Sequence, residues 1–156
     1  MEKVTEEAPV KRPLRSHGSC FVCGPENDKG MNLTYWQEGE ATVARFSFSE
    51  HEQGPPRHAH GGAISAVLDE CMGKVAWVRG FRALAANLSI DFRNPTPLAT
   101  ALTATAWVER SEESKVYLRS ELRRDDSGVL LAEGTAVFIV PKTFWQDLRK
   151  PESGVG

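Results

Sequence analysis

The chain has 156 residues, of which 40% are hydrophobic and 26% charged, the size and make-up of one globular domain. Nineteen Lys and Arg against 21 Asp and Glu leave a net charge of -2, which disfavours a nucleic-acid binder. No apolar run approaches the roughly 20 residues that span a bilayer.

Residues 1–16 are charged, contain Pro9 and Pro13 and show no periodicity, so they are expected to form a flexible arm rather than a secretory signal. Three cysteines do not make a disulfide scaffold, and the reading is cytoplasmic. Residues 17–30 are turn-rich. Strands are expected at Asn32–Gln37 and, after the Glu38-Gly39-Glu40 turn, at Thr42–Phe48. Gly54-Pro55-Pro56 marks a loop. His60-Gly61-Gly62 then opens a helix whose apolar residues recur at Ile64, Val67, Leu68, Cys71, Met72, Val75 and Val78. Gly80 is its expected C-terminal cap.

After Gly80 the period falls to two. Leu84, Ala86, Leu88, Ile90 and Phe92 are assigned to the core face, and Ala85, Asn87, Ser89, Asp91 and Arg93 to the polar face. Further strands are expected at Ala101–Glu109, Lys115–Arg123 and, covered on both faces, Val129–Val140. The order is β-β-α-β-β-β-β, an α+β domain at 17–141 followed by a C-terminal tail at 142–156.

Two features point to chemistry. The helix begins with Gly61 and Gly62, where a ligand can approach free N–H groups and the positive end of the dipole. Asp69 lies seven residues past Gly62, almost two turns and about 10 Å along the axis, on nearly the same face. A carboxylate and an oxyanion donor so spaced suit acyl hydrolysis. A bland reading, a tight turn and a solvated acid, competes with this. Against it stands Glu70, since two adjacent acids on a mostly apolar helix need a cleft or a partner.

The run His60-Gly61-Gly62-Ala63-Ile64-Ser65-Ala66-Val67-Leu68-Asp69-Glu70 resembles the signature of hotdog-fold acyl-CoA thioesterases. The likeness is to the branch that holds the phenylacetate-pathway thioesterase and the mammalian thioesterase-superfamily acyl-CoA hydrolases. Cys20-Phe21-Val22-Cys23-Gly24-Pro25, Gly30-Met31-Asn32-Leu33 and Ala86-Asn87-Leu88-Ser89-Ile90-Asp91-Phe92-Arg93-Asn94-Pro95 also resemble that branch. The resemblance implies a hotdog fold, a long central helix wrapped by a large antiparallel sheet. It implies Asp69 as general base or nucleophile, Gly62 as the backbone donor to the thioester carbonyl, and His60 in a positional role. It further implies contacts to coenzyme A from Asp91, Arg93, Ser114 and Lys115. The partners implied are an acyl-CoA substrate and a second copy of the chain, as a homodimer or a dimer of dimers. No cofactor is expected. Several relatives carry a Thr where this chain has Ala85, and Asn87 is the suggested substitute for its hydroxyl.

Two rival functions differ in testable ways. A hotdog hydratase or dehydratase would use His51 with Asp69. A non-catalytic acyl-CoA-binding module would follow from the missing hydroxyl at Ala85. Cys20-x-x-Cys23 with His17 resembles part of a zinc site, but no second cysteine pair completes it, so no metal is expected and the cysteines read as small apolar packing residues. His51–Arg57, Trp77 and Phe81 are the expected acyl-pocket residues.

Overall fold

The computed structural model describes residues 10–147. Seven strands form one antiparallel sheet in the order β1-β2-β3-β5-β6-β7-β4. They are β1 (Lys11–Pro13), β2 (Trp36–Glu38), β3 (Ala41–Phe46), β4 (Leu84–Phe92), β5 (Leu102–Glu112), β6 (Lys115–Arg124) and β7 (Leu130–Ile139). One long helix, α1 (Gly61–Val78), packs on a single face of the sheet, and a short α2 (Phe144–Asp147) follows β7. Among the described residues no helix is long and apolar enough to cross a membrane.

The helix forms where its periodicity predicts. Ile64, Val67, Leu68, Cys71, Met72 and Val75 are buried against Ala104, Ala106, Val116, Leu118 and Leu122 of β5 and β6. Small alanines on β5 let the helix sit close to the sheet. It ends in a Schellman motif, in which Gly80 N–H donates to the Trp77 carbonyl and Phe81 N–H to that of Ala76. Gly80 takes φ +91°, a conformation open to glycine at no steric cost.

Three expectations need correction. Part of the expected arm is ordered, because Lys11–Pro13 pairs with Trp36–Glu38; residues 1–9 lie outside the described range. The first expected strand is shorter and later, β2 beginning only at Trp36. The residues before it are held instead by loop bonds such as Met31 N–H to the Phe21 carbonyl and Leu33 N–H to that of Val22. Finally, β7 is central in pairing but covered on one face only. Leu131, Ala132, Gly134, Ala136 and Phe138 are buried under the helix, while Thr135 and Ile139 face outward.

Candidate active site

His60 is the N-cap of α1, and its Nδ1 accepts the Gly62 N–H at 2.8 Å. A Cβ on Gly62 would stand 3.0 Å from that nitrogen, and one on Gly61 would stand 3.2 Å from the Phe92 ring. A side chain at either position would therefore be tight, the His60 or Phe92 ring having to shift by a few tenths of an ångström. The Gly62 N–H, expected to face a carbonyl oxygen, is engaged by His60, while the Gly61 N–H has no acceptor among the described residues. Gly62 and His60 line a groove of about 860 Å³ together with Met31, Ser49 and His51. Gly61 opens instead onto a second groove, beside Phe92 and Arg93.

Asp69 is half-buried two turns along and lines a separate cavity of about 220 Å³. His17, Glu70, Lys74, Trp77, Ala85, Phe138 and Trp145 share that cavity. Burial, and secondarily the Glu70 charge, push the Asp69 carboxyl above its ordinary value. It has no hydrogen-bond or ion-pair partner among the described residues. The Trp77 ring meets the Trp145 ring edge-on at 5.1 Å, and the Trp145 indole N–H donates to the Arg82 carbonyl. The start of the expected tail thus covers one end of the cavity. His17 is also drawn in, its ring edge-on to Trp77, and burial then Lys74 lower its pKa. Sequence reasoning missed His17 and Trp145 here, because each reaches Asp69 across more than 50 residues of chain.

Strand β4 corrects the expected faces. Its pairing with β7 shifts between Ala85 and Asn87: Ala85 faces Phe138, whereas Asn87 faces Val137. Opposed residues of an antiparallel pair project to the same side, so the extra residue Ala86 puts Ala85 on the helix side and Asn87 on the far side. Ala85 accordingly lines the Asp69 cavity, and Asn87 does not. Asn87 cannot supply the missing hydroxyl within this protomer. The helix-side set continues as Leu88, Ile90 and Phe92, opposite Ala136, Gly134 and Ala132.

The expected coenzyme A contacts are scattered. Asp91 is exposed, and the Arg93 guanidinium lies 2.6 Å from Glu133 and 3.7 Å from Asp91, so its charge is matched by acids. Ser114 sits at the β5–β6 turn, its carbonyl accepting the Val140 N–H. Lys115, beside it, is exposed and has no ion-pair partner among the described residues. His51 and Asp69 line different cavities. Of the expected acyl-pocket residues, Trp77 lines the Asp69 cavity, His51 lines the groove at the helix start, and Phe81 packs against the core.

Residues 57–131 match the thioesterase superfamily. The acyl-coenzyme A thioesterase THEM4 of Xenopus laevis is 34% identical over 97 residues, covering 62% of this chain and 44% of that protein. The chain thus spans less than half the length of that relative. Among solved structures, a thioesterase-superfamily protein matches with TM-score 0.73 and 27% identity, over 78% of this chain and 60% of that one. A hypothetical thioesterase from Streptococcus pneumoniae, solved with coenzyme A, matches with TM-score 0.62 and 17% identity, over 64% of this chain and 80% of that one. Sheet order, helix placement and these matches agree: the chain carries a thioesterase-superfamily domain with the hotdog fold.

Proposed function

We propose that this protein hydrolyses acyl-CoA thioesters, with Asp69 as the base or nucleophile. The observation that carries the reading is the half-buried Asp69 carboxylate, raised in pKa and without a partner among the described residues, on a helix headed by two glycines. In this reading the thioester oxygen takes the Gly62 N–H from His60 Nδ1, exchanging a neutral acceptor for one that gains charge in the transition state. The single chain opens Gly62 and Asp69 to separate cavities. In this proposal the two therefore meet one thioester across a dimer, where Asp69 of a second copy draws a proton from water or attacks the carbonyl itself. The departing thiol has a pKa near that of free cysteine, about 8.5, and needs little acid assistance, so a base and an oxyanion donor suffice. Lys115 is the better candidate for a coenzyme A phosphate, since Arg93 is already matched by Glu133 and Asp91. The coenzyme A bound by the Streptococcus relative supports that ligand class.

The working unit in this proposal is a homodimer or a dimer of dimers. Strand β4 is the last strand of the sheet, and Leu88 and Phe92 on it are 37% and 55% exposed. An open apolar edge is an aggregation hazard unless another chain covers it. A second copy there would also close the Asp69 cavity, which one chain leaves open. The test is thiol release from short, long and aromatic acyl-CoAs, by wild type and by Asp69→Asn. Turnover by wild type and its loss in the variant support the proposal. Retained turnover in Asp69→Asn overturns it, as does saturable binding without turnover of any substrate.

A further inference from the structure

The loop that precedes β2 turns sharply on itself, with Gly24 N–H bonded to the Cys20 carbonyl at 2.9 Å. A Cβ on Gly24 would lie 2.3 Å from the Cys20 nitrogen and from the Gly18 carbonyl oxygen, so the turn admits only glycine. It brings the Sγ atoms of Cys20 and Cys23 together and aims both at α1. There they meet Glu70, and one donor atom from each of the three residues lies within 4.8 Å of the others. Cys20 Sγ stands 3.9 Å from Glu70 Oε1. Cys23 is 1% exposed.

From this convergence we infer that Cys20, Cys23 and Glu70 bind a thiophilic divalent cation of the zinc class, with a water in the fourth position. Zinc–sulfur bonds of about 2.3 Å and zinc–oxygen bonds of about 2.0 Å set tetrahedral donor separations of about 3.5–3.8 Å. The 3.9 Å between Cys20 Sγ and Glu70 Oε1 is already close to this range, and the remaining separations, within 4.8 Å, shorten to it by side-chain rotation. Water enters from the Cys20 side, which is only half-buried. Two surroundings fit the bound state. The His17 backbone N–H donates to Cys23 Sγ at 3.4 Å, and an N–H donor stabilises a thiolate. Lys74, 7% exposed, holds its ammonium 3.6 Å from Glu70 Oε1 and donates to the Arg15 carbonyl.

The charges then close. Binding releases one proton from each thiol to solvent, giving two thiolates and one carboxylate on a divalent cation, a complex of net charge -1. The Lys74 ammonium cancels it. A buried cluster so balanced avoids the cost of an unpaired charge. A second cysteine pair is not needed, because the third ligand, Glu70, arrives from the helix. The site ties the loop to α1 one residue from Asp69, and it stands whether or not the chain is a thioesterase.

The experiment loads the full chain, reduced and stripped with chelator, with cobalt(II) and follows absorption. Cobalt reports tetrahedral thiolate ligation through a charge-transfer band that zinc then bleaches. One cobalt per chain is expected. The band should fall roughly twofold in Cys20→Ser and in Cys23→Ser, since each contributes one of two thiolates. Glu70→Gln should retain the band but need more cobalt to fill it. Cys71→Ser should leave it unchanged, since that thiol bonds the Thr42 carbonyl elsewhere in the core. Absence of the band in wild type overturns the inference, and this needs no variant to fold. A band lost in Cys71→Ser and kept in Cys20→Ser overturns it as well.

Discussion

Replacing Asp69 by Asn should abolish turnover and yet make the protein more stable. The two side chains have the same shape, so packing is kept and only the charge is removed. That charge is held at a half-buried position, beside Glu70 and without a partner among the described residues. Repulsion between carboxylates on adjacent helix residues, at an effective dielectric near 20, is on the order of 1–3 kcal/mol, and the Lys74 ammonium next to Glu70 offsets part of it. With the burial of the Asp69 carboxylate included, a gain on the order of 1 kcal/mol is expected for Asn at pH 7, or about 2–4 °C in Tm for a chain of this size. The pH dependence follows from the direction of the shift. Folding raises the Asp69 pKa, so the folded chain holds that proton more tightly than the unfolded chain does. The stability this provides is present in acid and is lost as pH rises through the folded value. Asn has no such loss. Thermal melts of both proteins in chelator, from pH 4 to 8, should show the two curves together near pH 4 and Asn ahead at pH 7. A variant that is less stable at pH 7, or a gap that widens in acid, refutes the assignment of an unpaired buried charge.

Three further outcomes follow from the site. His60→Ala removes the ring that caps Gly62 and should cost about 1 kcal/mol in a denaturant melt, while kcat falls far less than in Asp69→Asn. Ala85→Thr places a hydroxyl in the cavity beside Asp69, where there is room for it, and should raise kcat by up to about tenfold if it helps hold the attacking water; a fall in kcat would count against that role. Leu88→Asp puts a charge on the open edge of β4 and should convert an oligomer into an inactive monomer in sedimentation; a variant that remains oligomeric would place the interface elsewhere.

The helix could be read from sequence because its signals agree: a 3.6-residue period, two glycines at the start and Gly80 at the end. The long strands β5, β6 and β7 could be read because one face of each is buried, whereas β4 alternates in sequence although the single chain leaves nearly all of it exposed. What could not be read depends on single residues or distant contacts. One extra residue at Ala86 moves Ala85 and Asn87 to opposite faces of β4, and a two-residue period carries no sign of it. Strand β1 is three residues in a charged, proline-bearing segment, with no periodicity to detect. Lys74 resembles any surface lysine of a helix, yet it is buried because the Arg15 carbonyl and Glu70 meet its ammonium. Asp69 and Gly62 do lie on one helix as read, but the single chain opens them to separate cavities.

The paired acids Asp69 and Glu70 show how a fold separates two chemically similar neighbours. Successive residues on a helix point about 100° apart, so the two acids make different contacts even where both border one cavity. Glu70 faces the loop of residues 15–23 and finds Lys74 and two thiols, a set whose charge balances. Asp69 lines a cavity with Trp77, Phe138 and Trp145; Lys74 reaches the same cavity, but its ammonium pairs with Glu70, and Asp69 has no ion-pair partner among the described residues. A carboxylate matched by an ammonium gains little from taking up a proton. One held among aromatic rings gains more, and a raised affinity for a proton is what a base needs. If the roles were exchanged, Glu70→Gln would stop thiol release and Asp69→Asn would not. The ion pair at Glu70 and its absence at Asp69 are what support Asp69, rather than Glu70, as the proposed base or nucleophile.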